Sequence, residues 1–286
     1  MSPEVSIIIP AKNEAPGLSR LLPVLVSRYP DFEIIVVNDG SEDNTLEICN
    51  SYTVTVVNHP HSLGNGAALK AGVRNAAGNV LVVMDADGQH SPDDLQRLLD
   101  RLSQGYDMVV GARKITTHAG VLRLVGNLFY NWLASWMTGH RILDLTSGFR
   151  AIQASRIREF IHILPNGFSS PTTITMALFR AGYSVDYLPI EAREREGKSH
   201  IRIVRDGMRF LAIIFRVTAF YSPLKLFLPA SAMFFITGVG YYIYTYATSG
   251  RFTNMGVLLL MTSVLVFLIG LVSEQITYLI YLERKK

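Results

Sequence analysis

The stretch that decides the fold is Val80-Leu81-Val82-Val83-Met84-Asp85-Ala86-Asp87-Gly88-Gln89-His90, an apolar run that ends on two aspartates one residue apart. Val80 to Met84 show no polar alternation, which marks a strand buried on both faces of a mostly parallel sheet. Charge therefore appears only where the strand ends. With a side-chain period of two, Asp85 and Asp87 point the same way and Gln89 continues the spacing. Two carboxylates so placed repel each other unless a cation lies between them.

Outward from this run, VSIIIP (5–10), EIIVVND (33–39), VTVVN (54–58) and DMVVGAR (107–113) are further apolar segments. Helical patterns separate them, after Glu14, from Ser41, from Gly66 and from Ser91. At the last of these Ser91 is placed to cap, Pro92 takes the first helical position and Asp94 completes a capping box. The alternation predicts an α/β protein with a doubly wound, mostly parallel sheet, whose ligands bind beyond the carboxyl ends of the strands. Asn38, Asp39, Asp85, Asp87 and Arg113 all fall at such ends.

Asp85, Asp87 and Gln89 offer oxygen donors, with neither sulfur nor imidazole among them. That set suits a hard cation, Mg2+ or Mn2+, and not structural zinc. An ion held by few carboxylates keeps positions open for phosphate oxygens, so a nucleoside diphosphate is the natural ligand. GNGAALKAG (64–72) opens a helix after a strand, but Leu69 stands where a dinucleotide fingerprint has its third glycine, and the motif lies in the third βα unit. Gly64 and Gly66 serve either a close approach of backbone to ligand or a turn.

The chain has 286 residues, is 49% apolar and carries a formal charge of +4. No charged residue lies between Lys225 and Arg251, or between Arg251 and Glu274. Each gap is long enough to cross about 30 Å of hydrocarbon as a helix, so two transmembrane helices are expected. Arg205, Arg209, Arg216 and Lys225 precede them and Arg284, Lys285 and Lys286 follow, with Arg251 alone between. The positive-inside rule places both termini in the cytoplasm. The N-terminus lacks the basic start and long apolar core of a signal peptide. The lone Cys49 fits a reducing compartment. No basic run with interleaved aromatics occurs in the first 200 residues, so nucleic acid is not an expected partner.

Two helical stripes stand out before the spans. Arg202, Arg205, Arg209 and Arg216 on one stripe, with Val204, Met208, Leu211 and Phe215 on another, predict a basic amphipathic helix over 201–222 on the inner leaflet. Within 121–139, Val125, Leu128, Phe129, Trp132, Trp136 and Met137 share one face, which suits either a core helix or an interfacial one. Gly238 and Gly240 in the first span would let two helices approach closely, as in a homo-oligomer.

IIIPAKNEA, VVNDGSEDNT, GNGAALKAG, VMDADGQHSPDDL, VGARK, DLTSGFRA and REGKSH follow one another in the chain. In this order they resemble family 2 glycosyltransferases, specifically the polyprenyl-phosphate hexose synthases related to dolichol-phosphate mannose synthase, over about residues 4 to 200. The resemblance implies a GT-A type domain over 1–200, the interfacial helix over 201–222 and a membrane hairpin over 223–286. It implies a metal-dependent, inverting transfer of one hexose from a UDP- or GDP-linked sugar to polyprenyl or dolichyl phosphate at the cytoplasmic membrane face. Pro10, Glu14, Asp39 and Gly66 would hold the donor, with Arg195, Lys198 and Ser199 closing on its diphosphate. Asp85, Asp87 and Gln89 would hold Mg2+ or Mn2+, and Arg113, Arg123 and Asn127 the acceptor phosphate. Asp87, Arg113 and Arg123 would carry the chemistry. Gly88 departs from the bulky apolar residue of many relatives.

A phosphate monoester has a second pKa of about 6, so the acceptor is already an anion and needs alignment more than deprotonation. Asp144 is the candidate base if one is needed. Two rivals remain. A processive polysaccharide synthase would be expected to carry more spans and a Gln-x-x-Arg-Trp motif. A noncatalytic nucleotide-binding membrane scaffold would not need the DAD pair and its arginines.

Overall fold

A computed structural model describes residues 4–88, 90–113, 121–167, 169–191, 212, 215, 218–219, 222–251 and 253–283, without the side chains of 121–125, 127 and 280–283. The chain falls into two units, Met1–Leu211 and Ala212–Lys286. Gln89, Arg195, Lys198, Ser199 and nearly all of the expected 201–222 helix lie outside the described residues.

In the first unit the strands are β1 (Val5–Ala11), β2 (Glu33–Asn38), β3 (Thr55–Asn58), β4 (Val80–Val83), β5 (Met108–Arg113), β6 (Arg150–Gln153) and β7 (Val185–Ile190). The helices are α1 (Ala15–Arg28), α2 (Thr45–Asn50), α3 (Asn65–Asn75), α4 (Pro92–Leu102), α5 (Val121–Thr138), α6 (Ala154–Phe160) and α7 (Ser170–Arg180). One seven-stranded sheet results, in the order β3-β2-β1-β4-β6-β5-β7. Strands β1 to β4 pair in parallel, as do β5 and β7, while β6 runs antiparallel between β4 and β5. The expected doubly wound, mostly parallel sheet is therefore present, with one reversed strand.

Apolar residues at helical spacing fix the layers. Leu18, Leu21, Leu22 and Leu25 of α1 are buried, as are Leu95, Leu98 and Leu102 of α4. A Cβ on Gly72 of α3 would stand 2.3 Å from Cγ2 of Ile8, so only glycine lets this helix lie on β1. At the start of α4, Ser91 Oγ accepts from the Asp93 N–H at 3.2 Å, as a cap should. Asp94 does not complete a capping box; its carboxylate pairs with Arg97 one turn on.

Helix α5 turns two faces outward and inward in an order the sequence left open. Leu133, Ala134 and Met137 are buried, whereas Leu128, Phe129, Trp132 and Trp136 are exposed. Met137 thus leaves the tryptophan stripe on which its spacing placed it. Asn131 and Ser135 fasten the inner side, accepting from the Leu145 and Ile142 N–H groups at 3.1 and 2.9 Å.

The second unit holds α8 (Pro223–Ser249) and α9 (Asn254–Glu283), each long and apolar enough to cross a membrane and mostly exposed. Their contact is closed by a reciprocal pair: Ser231 Oγ donates to the Ser263 carbonyl at 2.9 Å, and Ser263 Oγ to the Ser231 carbonyl at 3.0 Å. Glu274 accepts from the Leu224 N–H at 3.1 Å, answering one orphan donor of the α8 N-terminus. Gly238 packs against Leu260 within the hairpin.

Candidate active site

The turn after β4 carries Asp85 and Asp87, both partly exposed. Its backbone is held from behind by α1, where a Cβ on Gly17 would stand 2.1 Å from the Ala86 carbonyl oxygen. Asp85 sits against bare backbone, since a Cβ on Gly148 would lie 2.4 Å from its Oδ2. His90 flanks the same oxygen, with Nε2 at 3.6 Å, and is itself buried and stacked on Phe149 at 4.8 Å between centroids. Burial would raise the Asp85 carboxyl, but His90, with Arg113 and Arg150 further off, outweighs it and holds the group below its ordinary value. Among the described residues no third His, Cys, Asp or Glu joins the pair. Two carboxylates at this spacing are oxygen donors of the kind that fit Mg2+ or Mn2+ shared with phosphate oxygens.

Arg113 ends β5 and is fixed by Asp144. Its Nε donates to Oδ2 at 2.8 Å and its Nη2 to Oδ1 at 3.1 Å, a fork-on-fork pair, while Nη2 also donates to Thr146 Oγ1 at 2.7 Å. Nη1 makes no hydrogen bond among the described residues. Burial would lower the guanidinium, but Asp144, together with the more distant Asp85 and Asp87, raises it. Asp144 is buried and also accepts from the Thr146 and Ser147 N–H groups at 3.1 Å each. Burial pushes its carboxyl up; Arg113 and these donors push it further down.

Arg150 opens β6, opposite Val83 of β4 and Val110 of β5, and is among the largest fully buried side chains. Its partners are neutral: the Ser147 carbonyl, the Pro171 carbonyl at 3.1 Å and Thr175 Oγ1 at 3.1 Å, with Nε unpartnered. Burial brings its pKa down to about 10. A narrow cleft beside it is lined by Pro10, Asn65, Leu69, Asp85, Gly148 and Arg150. The reversed strand is what brings this cation and the 144–149 segment next to the β4 carboxylates.

Asp39, after β2, is spent on its own neighbourhood. His59 Nδ1 and the Leu63 N–H meet Oδ1 at 2.8 Å each, and Ser62 Oγ and the Gly64 N–H donate to Oδ2 at 2.7 and 2.9 Å. Burial would raise this carboxyl, yet these four bonds hold it at about 2. The N-terminus of α3 is likewise closed by protein, since the Gly66 and Ala67 N–H groups donate to the carbonyls of Gly167 and Asn166 at 3.0 and 2.9 Å. A Cβ on Gly66 would lie 2.0 Å from the Pro165 carbonyl oxygen, so here glycine admits backbone. The loops after β1 and β2 brace each other: the Asn13 and Glu14 N–H groups donate to Ser41 Oγ and Thr45 Oγ1 at 2.9 and 3.1 Å.

Pro10, Glu14, Asp39, Asp85, Asp87 and Arg113 thus gather at one edge of the sheet, and Gly66 lies on the neighbouring helix. Arg123 and Asn127 lie on the first turns of α5, their side chains outside the description. Sequence reasoning passed over Arg150 and gave His90 no role. The signals were there, in an arginine heading the apolar Ala151-Ile152 pair and a histidine two residues beyond the open turn.

A paired-carboxylate turn thus stands at the central strand of the sheet, with a clamped arginine at the end of β5, on a mostly parallel sheet of the GT-A type. The model of Glycosyl transferase family 2 matches residues 6–159, and the chain belongs to that family. Residues 222–279 match the GtrB C-terminal hairpin. A polyprenol monophosphomannose synthase of Mycolicibacterium smegmatis is 31% identical over 207 residues, covering 66% of this chain and 77% of the relative. A dolichyl-phosphate beta-glucosyltransferase of Trichomonas vaginalis is 30% identical over 245 residues, covering 76% and 73%. In fold, the chain is similar to glucosyl-3-phosphoglycerate synthase from Mycobacterium tuberculosis, crystallised with Mn2+, UDP and glucosyl-3-phosphoglycerate, at a TM-score of 0.63 and 19% identity over 76% of this chain and 80% of that one.

Proposed function

We propose that the chain moves one hexose from a nucleoside-diphosphate sugar to a polyprenyl phosphate at the cytoplasmic face of a membrane, with inversion at the anomeric carbon. The observation that carries this reading is the bidentate lock of Asp144 on Arg113, which leaves Nη1 to a ligand beside Asp85 and Asp87. The names of the relatives support a lipid-phosphate acceptor. Asp85 and Asp87, with Gln89, would hold Mg2+ or Mn2+, which when bound neutralises charge on a departing diphosphate.

The residues then divide the work. Pro10 and Glu14 bind the nucleoside from the β1 loop. Asp39 orders the loop through Gly64 that walls the donor site. Arg113 positions the acceptor phosphate, with Arg123 and Asn127 extending the clamp from α5. Arg195, Lys198 and Ser199 close on the donor diphosphate. Asp144 orients Arg113 and takes no proton, because its oxygens are already committed to a guanidinium, three backbone N–H donors and the Thr146 hydroxyl. An acceptor that is already ionised makes a base unnecessary.

Full-length protein with labelled UDP- or GDP-hexose, Mg2+ or Mn2+ and polyprenyl phosphate tests the proposal. A lipid-linked monosaccharide is expected. Polymer would favour the processive synthase, and no product in any combination would leave the noncatalytic scaffold.

A further inference from the structure

Arg150 has no part in the division of work above, yet among the described residues it is the one lysine or arginine that is buried. Burying a guanidinium is unfavourable unless an anion answers it. Here none does: its hydrogen bonds go to the carbonyls of Ser147 and Pro171 and to Thr175 Oγ1, and Nε has no partner among the described residues. We propose that Arg150 is a fixed buried charge that sets what the site binds without touching it, opposing a bare divalent ion and favouring a diphosphate. The inference rests on the function proposed above, since the site is that of Asp85 and Asp87.

Three observations place this charge under the site. The first is register. Arg150 stands opposite Val83 of β4, so the two side chains share a face of the sheet, and Asp85 follows Val83 by two residues. Val83, Asp85, Gly148 and Arg150 then line one narrow cleft. The second is connection. The guanidinium donates to the Ser147 carbonyl, and the next residue, Gly148, is the one whose Cα backs the Asp85 carboxylate. The third is the lack of cancellation. Arg113, the other guanidinium beside the site, is answered by Asp144 through two bonds, at 2.8 and 3.1 Å. Tyr187 shares the row of Arg150 across Val110 of β5 and stays a neutral phenol, because burial raises its pKa.

A charge in a low-dielectric interior acts over several ångströms, and salt screens it little. Its sign fixes the consequence. It repels Mn2+ or Mg2+ arriving alone and attracts the phosphates of a nucleotide, so the ion and the diphosphate are held best as a pair.

Opposite signs on two ligands separate a charge effect from structural damage. Binding of Mn2+ alone to full-length protein in detergent is followed by electron paramagnetic resonance, and binding of UDP or GDP and of the matching nucleoside in EDTA by ligand-observed nuclear magnetic resonance. The parent should prefer the diphosphate to the nucleoside even in EDTA. Arg150→Gln should tighten Mn2+ about tenfold and weaken the diphosphate about tenfold, leaving the nucleoside unchanged. Thr175→Asp sets an anion against the same guanidinium and leaves it in place, so it should give the same two shifts even if the Gln variant does not fold. Arg150→Lys, which keeps the charge, should return both affinities toward the parent's. Mn2+ and diphosphate both weakened, or both unchanged, in the folded charge-removing variants would overturn the inference and leave the proposed function standing, as would a parent without preference for the diphosphate in EDTA. A parent that binds neither Mn2+ nor nucleotide, alone or together, would overturn the proposed function and this inference with it.

Discussion

The Asp85 carboxylate rests on the Cα of Gly148, close enough that a Cβ there would stand 2.4 Å from Oδ2 and 2.7 Å from Oδ1. The position therefore tests the carboxylate without touching it. Gly148→Ala should push Asp85 off its place, weaken Mn2+ binding at least tenfold and lower transfer in proportion, while the sheet stays folded. The check is metal affinity beside far-ultraviolet circular dichroism. Unchanged affinity would mean that Asp85 is not a ligand.

Asp144 and Arg113 form a largely buried pair, and removing one charge from such a pair costs about 3 kcal/mol. Asp144→Asn should lower stability by roughly that amount and raise the KM for the acceptor lipid more than it lowers kcat, because the guanidinium loses its orientation. A general base would give another pattern, a fall in kcat with loss of the acidic limb of the pH profile. That pattern would refute the positioning role.

How much of this was legible beforehand varies with the range of the forces involved. Val80 to Met84, Ile7 to Ile9 and Ile34 to Val37 announce buried strands by composition, and Ser91 announces a helix start, because both signals are local. The place of Arg150-Ala151-Ile152-Gln153 was not readable. Four residues that slip antiparallel between β4 and β5 are selected by partners 67 to 73 and 40 to 44 positions away. Asp39 shows a subtler limit. An aspartate at a strand end reads as a ligand contact, and only the fold reveals that His59, Ser62, Leu63 and Gly64 return to fill its lone pairs. For Gly66 the sequence left a close approach to ligand or a turn, and only the fold shows the Gly167 and Asn166 carbonyls accepting from the Gly66 and Ala67 N–H groups.

Asp39 should contribute to acid sensitivity. Its carboxyl sits at about 2 in the folded chain, against about 3.9 unfolded. The depressed value means that stability is present in full above about pH 4 and is lost as pH falls toward 2, on the order of 2 kcal/mol in all. Asp39→Asn should flatten that limb of a denaturation-midpoint curve measured in detergent. A curve of undiminished slope would assign the acid sensitivity to other carboxylates.

Arg150 has only neutral acceptors, so its removal strands them. Arg150→Met leaves the Ser147 and Pro171 carbonyls without their donor and should destabilise the chain by about 2 to 4 kcal/mol. Arg150→Lys, which keeps the charge and reaches fewer acceptors, should fall between. If urea unfolding finds the Met variant as stable as the parent, the buried cation serves the site alone.

The central claim is that Asp85 and Asp87 hold a divalent ion and a nucleoside diphosphate together. Mn2+ electron paramagnetic resonance on the full-length protein, with and without UDP or GDP, reads this directly. Wild-type protein should remove the free-ion signal with one high-affinity site that tightens when nucleotide is added, and Asp87→Ala should lose both effects while keeping its fold. Equal Mn2+ and nucleotide binding in the two proteins would contradict the account.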